Sequence, residues 1–439
     1  MKALSNKGFI VVVSLVGLFF LIYFNLFADT RLTPLMHGDT ESYLKHSRVS
    51  LLNSDFFFGK TLFYEGIDNR PFIIPLFYKL LGENLRLIVI WQKLFQCFSV
   101  FFFTLCFLPV LVNKYVRLFF VFLMFFLFSW WNIRGWTNLV ISESLSISFF
   151  LVWVGSLVLY LKNNGVGYYI LLVVATICFA LTRDHWIYPI IIVFTLLTLL
   201  KFRKQLPGYL GLMFVSILLF VNIGFASKVG RRHVMPLLNN TLIRILPEKS
   251  YTDWYVKKGM PLNSTIVNWT GRNAYNGPHV DSLWTSRVSS KFVDWHYKHG
   301  QSVYTQFIIT HIKYALGVLW KNRFGMQAYN LTRYTGAGRS KISKLTDRVF
   351  PVFNFLSTLL ISLFLVYLYW KSKNEFYLLP IILWIAFMFN AIGCTLIDPC
   401  DIERHNWFNS IIMQIIGFSA LFFTCDYYLN NLKIIKGKK

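Results

Sequence analysis

The stretch FIVVVSLVGLFFLIYFNLFA, residues 9–28, decides the fold class of this chain because it is twenty residues long and carries no charge. A transmembrane helix needs about 20 mostly apolar residues to cross the hydrocarbon layer. Lys2 and Lys7 precede the stretch, as in a signal peptide, but Leu26-Phe27-Ala28 is a poor cleavage site and the apolar run is long for such a signal. We therefore expect an uncleaved first span.

Similar apolar runs recur along the whole chain. Of its 439 residues 56% are hydrophobic and only 14% are charged, whereas a soluble domain carries roughly 25% charged residues. The sequence predicts an all-α polytopic membrane protein with a bundle of about ten transmembrane helices. The expected spans are 9–28, 86–112, 116–131, 139–161, 167–182, 186–200, 208–227, 349–370, 376–396 and 407–429.

These spans divide the chain into three regions. Residues 1–227 hold the first seven spans and a first outer loop, 29–85, in which we expect juxtamembrane helices. Residues 228–348 are a long polar stretch, predicted to form an external cap, and 349–439 hold the last three spans and a basic tail. Within the cap, residues 307–320 are apolar enough to form an interfacial or re-entrant helix.

The formal net charge is +25, which in a soluble protein would indicate nucleic acid binding. Here the basic residues lie between apolar runs, so we expect anionic lipid headgroups or phosphate-bearing substrates, and no nucleic acid. The six cysteines show no zinc-site spacing, and most lie inside apolar runs, where cysteine behaves as a small hydrophobic residue. A disulfide between Cys394 and Cys400 is the alternative for that pair.

Lysines and arginines in short loops give the orientation, because they favour the cytoplasmic side. With the amino terminus in the cytoplasm, the loops around Lys114, Lys162, Lys201 and Lys371 and the carboxyl-terminal tail are cytoplasmic. Every cluster with acidic or phosphate-binding character then falls on the opposite side: 37–43, 142–144, 183–186, 228–348 and 401–405. The sequence predicts two cytoplasmic termini and one active cavity that faces the periplasm or exterior.

The first of these clusters is His37-Gly38-Asp39-Thr40-Glu41-Ser42-Tyr43. Asp39 fits a helix N-cap, and a carboxylate at the mouth of a membrane cavity also suits a general base, because reduced solvation raises its pKa. On a helix Glu41 points away from Asp39. On an extended turn the two carboxylates could bind a divalent cation, although two carboxylates are a weak metal signal.

Arginines supply the candidate phosphate ligands. Arg70 precedes Pro71, which suits the first residue of a helix, so Arg70 either reaches a phosphate or extends to the membrane interface. Arg183 either pairs with Asp184 or grips a lipid phosphate, beside His185 and a Trp186 that suits an interface anchor.

Two further clusters leave the same choice between structure and function. Glu143, at the start of the fourth span, either caps the helix or lines a cavity, with Arg134 as a candidate partner. Asp401, Glu403, Arg404 and His405 precede the last span, and we favour Arg404 as its functional arginine.

The outer segment mixes basic and aromatic side chains, which suits sugar and phosphate ligands, although a folded cap with solvated charges explains any single one equally well. The residues concerned are Arg231, Arg232, His233, Arg272 and Arg323, with Trp254, Trp269, Trp284 and Trp295.

Taken in order, these motifs resemble the GT-C superfamily of membrane glycosyltransferases, and within it the bacterial relatives of protein mannosyltransferases. Gly38-Asp39 with Tyr43-Leu44, then Arg70-Pro71 with Pro75-Leu76, is similar to the family's first-loop pattern. Ser142-Glu143-Ser144-Leu145 is similar to its S-E-x-L motif, and Glu403-Arg404-His405 to its E-R-Y, with His405 in place of tyrosine. The resemblance covers 1–200 and, more weakly, 398–420.

The resemblance implies a GT-C-like bundle in a bacterial inner membrane and inverting transfer of a sugar from a polyprenyl-phosphate donor to a glycan or lipid acceptor, with modification of O-antigen as one example. Asp39 would be the base, with Glu41 beside it. Arg70, Glu143, Arg183, His185, Glu403 and Arg404 would form the substrate and phosphate site. No cofactor is implied, and most of the family needs no metal.

Two other functions remain open from the residues alone. An O-antigen polymerase or ligase also uses outer-face arginines and a large periplasmic loop, but it does not need the paired first-loop motifs. A transporter or flippase of lipid-linked substrates would place charged residues near span centres or show repeated halves with broken helices. Here ionisable residues cluster at span ends.

Overall fold

The computed structural model describes residues 6–28, 33–58, 70–200, 206–230, 232–274, 287–327, 332–336, 341–400 and 402–436. This described chain is helical, with one isolated bridge between Leu35 and Leu139 and no sheet. Its α-helices, in chain order, are α1 Asn6–Tyr23, α2 Gly38–Arg48, α3 Asp55–Phe58, α4 Ile73–Leu80, α5 Leu85–Phe107, α6 Lys114–Phe128, α7 Trp131–Arg134, α8 Ser142–Asn163, α9 Val166–Ala180, α10 Ile187–Leu199, α11 Leu206–Val229, α12 Val234–Asn240, α13 Lys249–Lys257, α14 Ser264–Val267, α15 Arg287–Trp295, α16 Gln301–Thr310, α17 Ile312–Lys321, α18 Thr332–Thr335, α19 Lys341–Val349, α20 Phe355–Ser372, α21 Leu379–Ile397 and α22 Ile402–Lys436.

Seven of the described helices are long and apolar enough to cross a membrane: α1, α5, α8, α11, α20, α21 and α22. An eighth span is reached if α6 and the segment that begins with α7, which meet at a bend of 60°, are counted as one. The apolar helices α9 and α10 are shorter. All ten predicted spans therefore fall on helices and the chain is a polytopic helical membrane protein, but the helix lengths support seven or eight spans rather than ten.

The short helix α9 runs back along α8. Glu143 stands in the first turn of α8, at what we call the upper end of the bundle, and Arg183, just after α9, contacts it at 3.0 Å. Because α9 begins three residues after α8 ends and returns to the level of Glu143, the two helices cover the same depth. The opposite, lower end of the bundle contains the α8–α9 turn.

Two helices form the centre of the bundle. In α8 and α22 the apolar stretches are 83% buried, whereas those of α1, α11 and α20 are 22–33% buried and lie at the periphery. The sequence of α8 permits this because small serines face its neighbours and Gly155 leaves room for Phe102, whose ring would lie 2.9 Å from a Cβ at that position. α8 packs against α5 and α9, and α22 against α20 and α21.

The first loop folds into short helices whose starts differ slightly from expectation. The N-cap of α2 is His37, so Asp39 is a first-turn residue rather than the cap. α4 begins at Ile73 after the N-cap Phe72, so Pro71 lies before the helix. α2 and α4 pack against each other. The bridge between Leu35 and Leu139 attaches this loop to the start of α8, with the Leu35 amide donating to the Asn138 carbonyl at 2.8 Å.

Residues 228–348 contribute a second hydrophobic core, which includes Leu238, Phe292 and Phe307. This core attaches to the upper end of α21. The Arg244 guanidinium donates to the Thr395 carbonyl at 3.0 Å and to the Leu396 carbonyl at 2.9 Å. These last-turn carbonyls have no partner within the helix, and a cation at that end also stabilises the helix dipole. The predicted helix at 307–320 is divided at His311 into α16 and α17.

Candidate active site

Asp39 is held at the amino-terminal end of α2 by a capping arrangement around His37. The His37 ring accepts a hydrogen bond from the Asp39 amide at 3.3 Å, and the Thr40 hydroxyl accepts one from the His37 amide at 2.9 Å. These reciprocal bonds fix where the helix begins. The Asp39 carboxylate therefore stands in the positive field of the helix start, with 23% of its side chain exposed.

Two arginines from distant segments contact this carboxylate. Arg70, just before α4, donates from Nη2 to Asp39 Oδ1 at 2.8 Å. Arg404, in the first turn of α22 and 365 positions away in sequence, donates from its Nη2 to Asp39 Oδ2. Each carboxylate oxygen thus has its own guanidinium. The structure brings together the first loop and the final helix, as the sequence predicted for Asp39, Arg70 and Arg404.

Glu143 joins a third arginine to this group. Its Oε1 lies 3.0 Å from Arg183 Nη2 and 3.1 Å from Arg404 Nε. Glu143 is 1% exposed, Arg404 6% and Arg183 9%. A buried charge is tolerated only where an opposite charge and hydrogen bonds compensate for lost hydration. The result is a continuous chain of ion pairs, Arg70–Asp39–Arg404–Glu143–Arg183, which we call the charge cluster.

A buried histidine fixes the backbone of Arg70. His46 Nδ1 accepts from the Arg70 amide at 3.1 Å, and its Nε2 lies 2.7 Å from the Phe56 carbonyl. Since an amide only donates and a carbonyl only accepts, the proton must be on Nε2. Burial lowers the pKa of His46 to about 4, so the ring is neutral at pH 7 and keeps this arrangement.

The electrostatics of Asp39 differ from the sequence expectation. Burial alone would raise the pKa of this carboxyl, but Arg70 and Arg404, with a smaller contribution from His37, outweigh it and hold the pKa well below its usual range. The expected rise in pKa is therefore wrong, because the sequence revealed the reduced solvation and not the two adjacent cations. Asp39 is ionised at neutral pH.

Three other predicted site residues lie outside the charge cluster. Glu41 is exposed, about 200° around α2 from Asp39, and its charge acts on Arg48 instead. Glu403 is also exposed, beside Arg404. His185 lies in a short 3₁₀ turn after Arg183, packed edge-on against Trp186, and within the described chain its buried Nε2 makes no hydrogen bond.

Several expected contacts between sequence neighbours are wrong. Arg134 does not pair with Glu143; it donates to Ser343 Oγ at 2.8 Å and lies over the Phe24 ring. Asp184 does not pair with Arg183; it forms an ion pair of 3.0 Å with Arg232.

Further expectations from single residues also fail. Trp186 is not an interface anchor, because it is fully buried and donates to Ser146 Oγ at 3.2 Å. Cys394 and Cys400 form no disulfide, so the alternative pairing does not occur.

The aromatic residues of the outer segment are mostly structural. Trp269 and Trp295 are buried in the second core, and Trp254 packs on Phe307 and His311, so these rings do not form an open platform for sugars. Arg272 is exposed, and His233 lies near the Ser227 and Tyr297 carbonyls. Three predicted residues lie outside the described chain: Arg231, Trp284 and Asp401.

Sequence reasoning missed His37 and Tyr43 as members of the site. Arg404 Nη1 lies 3.1 Å from His37 Nε2, and Arg70 lies over the Tyr43 ring at 5.4 Å. His37 and Thr40, three residues apart, form a capping box in the structure, but neither residue fits the usual sequence pattern of Ser or Thr followed by Glu or Gln. Nothing in the sequence predicted that Arg404 would meet His37.

Neighbouring side chains of the charge cluster contact one another directly through their ion pairs. Two cavities lie elsewhere, one among Phe103, Phe150 and Leu383 inside the bundle and one beside Leu200 and Trp370. A ligand phosphate would bind by entering between the guanidinium groups and Asp39. Among the described residues no group of three or more histidine, cysteine, aspartate or glutamate side chains is arranged to bind a metal ion.

Comparison with known proteins adds no relative to this description. No protein-family model matches the sequence, and no curated protein matches it either.

Proposed function

We propose that this chain is a GT-C type glycosyltransferase, which transfers a sugar from a polyprenyl-phosphate donor to a lipid-linked or cell-surface glycan, O-antigen being one such acceptor. One observation carries the proposal. The Asp39 carboxylate is bound by Arg70 and Arg404 at one end of a bundle of apolar helices, which joins a base and two phosphate ligands from segments 365 positions apart. The ordered first-loop motifs support the same function.

The chemistry follows from competition for the arginines. A guanidinium binds phosphate through paired hydrogen bonds. A donor phosphate at Arg70 and Arg404 therefore weakens their stabilisation of the Asp39 carboxylate, and the pKa of Asp39 rises. Asp39 then accepts the proton of the acceptor hydroxyl while that oxygen forms a bond to the anomeric carbon. The bond between that carbon and the phosphate oxygen breaks, and polyprenyl phosphate leaves as an anion stabilised by the arginines. Attack opposite to the leaving phosphate inverts the anomeric centre.

Glu143 takes a different part from the phosphate ligand that the sequence suggested. A carboxylate repels phosphate, whereas its contacts with Arg183 and Arg404 hold both guanidinium groups in place. We therefore infer that Glu143 is a positioning residue. His185, with a buried nitrogen available beside Arg183, remains a candidate ligand of the donor or acceptor.

The orientation belongs to the same proposal: a bacterial inner membrane, both termini in the cytoplasm and the upper end outside. The short basic loops near Lys162 and Lys371 follow the ends of α8 and α20 and lie away from the charge cluster. Short basic loops favour the cytoplasmic side, so their position supports this orientation. Reporter domains inserted at Asn164 and at Lys257 test the orientation. We expect a cytoplasmic signal at Asn164 and an external one at Lys257, and the opposite pattern would refute it.

The activity is tested by mass spectrometry of surface glycans from cells with the gene, without it, and with variants restored. We expect a mass difference of one sugar, restored by the wild type and lost with Asp39→Asn. Asp55→Asn is the matched control, because Asp55 is an exposed carboxylate of the same loop. Glu41→Gln should restore the sugar as well.

The protein must be present in the membrane at wild-type amount in each strain. An unchanged glycan in the gene deletion would argue against a role in glycan modification. A restored glycan with Asp39→Asn would remove this carboxylate from the mechanism.

A further inference from the structure

Large apolar side chains form an exposed stripe on α16 and α17 and the turn that follows. The exposed fraction of each side chain is 59–75%. Three of them follow one another at intervals of four residues along α17, which places them on one face, as in a surface-lying amphipathic helix, and the other two lie just before and just after that helix. We call this set the apolar stripe: Ile309, Ile312, Leu316, Trp320 and Phe324.

The remaining faces of α17 are already occupied by the protein. Tyr314 and Val318 belong to the second core, and Leu319 packs against the core of the bundle. At 100° per residue, three faces therefore follow one another around α17. The first faces the second core, the next faces the bundle, and the third is the apolar stripe. The stripe adjoins the side that contacts the transmembrane helices.

The depth of α17 is set by its link to α21. The Tyr314 hydroxyl donates to Asn240 Oδ1 at 3.1 Å, and Asn240 Nδ2 donates to the Leu396 carbonyl at 2.7 Å, in the last turn of α21. Since α21 is one of the spanning helices, its end marks the level where hydrocarbon gives way to headgroups. Since α17 packs against α21, the apolar stripe lies beside the upper end of a spanning helix.

Basic side chains border the stripe. Lys313 is exposed next to it on α17, Lys321 is exposed at the carboxyl-terminal end of α17, and the Arg323 guanidinium covers the Trp320 ring at 4.4 Å and the Phe324 ring at 4.5 Å. Long basic side chains beside aromatic rings are typical of the headgroup level, where the aliphatic stem is buried and the charge reaches phosphate. The whole segment 228–348 carries nineteen basic and five acidic residues.

We propose that the apolar stripe is embedded in the leaflet at the upper end of the bundle and that Lys313, Lys321 and Arg323 bind the headgroups of anionic phospholipids. A second copy of the chain fits this face less well. If two copies met through the apolar stripe, the basic side chains beside one stripe would lie near those of the other and repel them. The helix α17 then anchors the second core to the membrane surface and holds the segment that caps α21 at headgroup depth. This inference depends on neither the reaction nor the side of the membrane that the upper end faces.

A photoreactive benzoylphenylalanine at Leu316 tests the proposal in the full chain. The protein is reconstituted in radiolabelled vesicles of phosphatidylethanolamine and phosphatidylglycerol and irradiated. We expect a lipid adduct at least tenfold above that of the same probe at Lys257, an exposed position of α13. A crosslink to a second copy of the chain, or no lipid adduct above that of the Lys257 probe, would overturn the proposal.

The headgroup contact has its own test in the same vesicles. Lys313→Glu with Lys321→Glu should lower the lipid adduct of the Leu316 probe about threefold or more, since each basic side chain near an anionic surface contributes attraction. The control pair is Lys249→Glu with Lys257→Glu, two exposed lysines of α13. Equal adducts in the two double variants would refute the part assigned to Lys313 and Lys321.

Discussion

Neutralising Glu143 should destabilise the protein far more than neutralising an exposed glutamate. In Glu143→Gln the side chain keeps its shape and loses its charge, so Arg183 and Arg404 face each other across an uncharged amide. Both arginines are at least nine-tenths buried and cannot recover full hydration. Arg404 retains Asp39, whereas Arg183 loses the carboxylate that it contacts at 3.0 Å.

The magnitude follows from the two ion-pair distances of Glu143. At 3.0 and 3.1 Å, and with an effective dielectric constant of about 20, each pair contributes a Coulomb energy of about 5 kcal/mol. Most of this energy compensates for the hydration that the three charges lose on burial. Removal of one member of a buried pair costs about 3–5 kcal/mol in net terms. We expect about 3 kcal/mol for Glu143→Gln, because Arg404 keeps its second carboxylate.

Reversible unfolding in mixed detergent micelles measures this difference, and the exposed pair Arg48–Glu83 supplies the control. Glu83→Gln makes the same chemical change where the Arg48 side chain is 61% exposed, and solvent-exposed pairs of this kind contribute little to stability. A double-mutant cycle with Arg183→Gln then isolates the pairwise term. We expect a coupling free energy of about 1–3 kcal/mol, since the double variant leaves no buried charge on Arg183 uncompensated.

Either of two results would refute this reasoning about the charge cluster. A cost of Glu143→Gln below about 1 kcal/mol, the value for an exposed pair, would mean that Glu143 does not hold the arginines. Additive effects of Glu143→Gln and Arg183→Gln would mean that the two side chains do not interact.

Three further predictions concern single residues. Arg404→Lys keeps the charge, but a single ammonium cannot contact Asp39, His37 and Glu143 together. Sugar transfer should therefore fall about a hundredfold. Normal transfer by this variant would show that these simultaneous contacts of the guanidinium are not needed. Because burial lowers the pKa of His46 to about 4, against about 6.5 in the unfolded chain, its stabilisation is complete above pH 6.5 and is lost as the pH falls toward 4. From pH 7 to pH 5 the unfolding free energy should drop by roughly 2 kcal/mol, and equal pH slopes for the wild type and His46→Gln would contradict this. Arg244→Ala removes two bonds to the end of α21, so limited proteolysis should cut residues 232–274 at least tenfold faster than in Lys249→Ala, and equal rates would show that Arg244 does not attach the second core.

The positions of the helices could be predicted because burial in a membrane leaves a strong mark on sequence. Every predicted span fell on a helix, since an apolar run of this length has few other structures available to it. The count of spans was less certain for a physical reason. α9 and α10 turn back within 15 and 13 residues, and whether so short a helix crosses depends on its neighbours rather than its composition.

The partners of the charged residues could not be predicted, because they depend on packing. The sequence suggested nearby pairs, Arg134 with Glu143 and Arg183 with Asp184. The structure instead pairs Glu143 with Arg183 across α8 and α9, and Asp184 with Arg232 from the segment after α11. Adjacent side chains such as those of Arg183 and Asp184 point in different directions. Residues about 40 positions apart can face each other where two helices lie side by side.

The charge balance of the cluster bears on the kind of phosphate that it suits. Arg70, Arg183 and Arg404 carry three positive charges, and Asp39 and Glu143 carry two negative ones, so these five side chains have a net charge of one positive unit. A sugar joined through one phosphate to a polyprenyl chain is a phosphodiester with a single negative charge, which neutralises the cluster. When the bond to the sugar breaks, the phosphate becomes a monoester with a charge of about −1.5 to −2 at pH 7, and the proton accepted by Asp39 removes one carboxylate charge from the same place. Under the proposed function the arginines would therefore bind the leaving phosphate more strongly than the donor, and that difference in binding would lower the barrier to transfer.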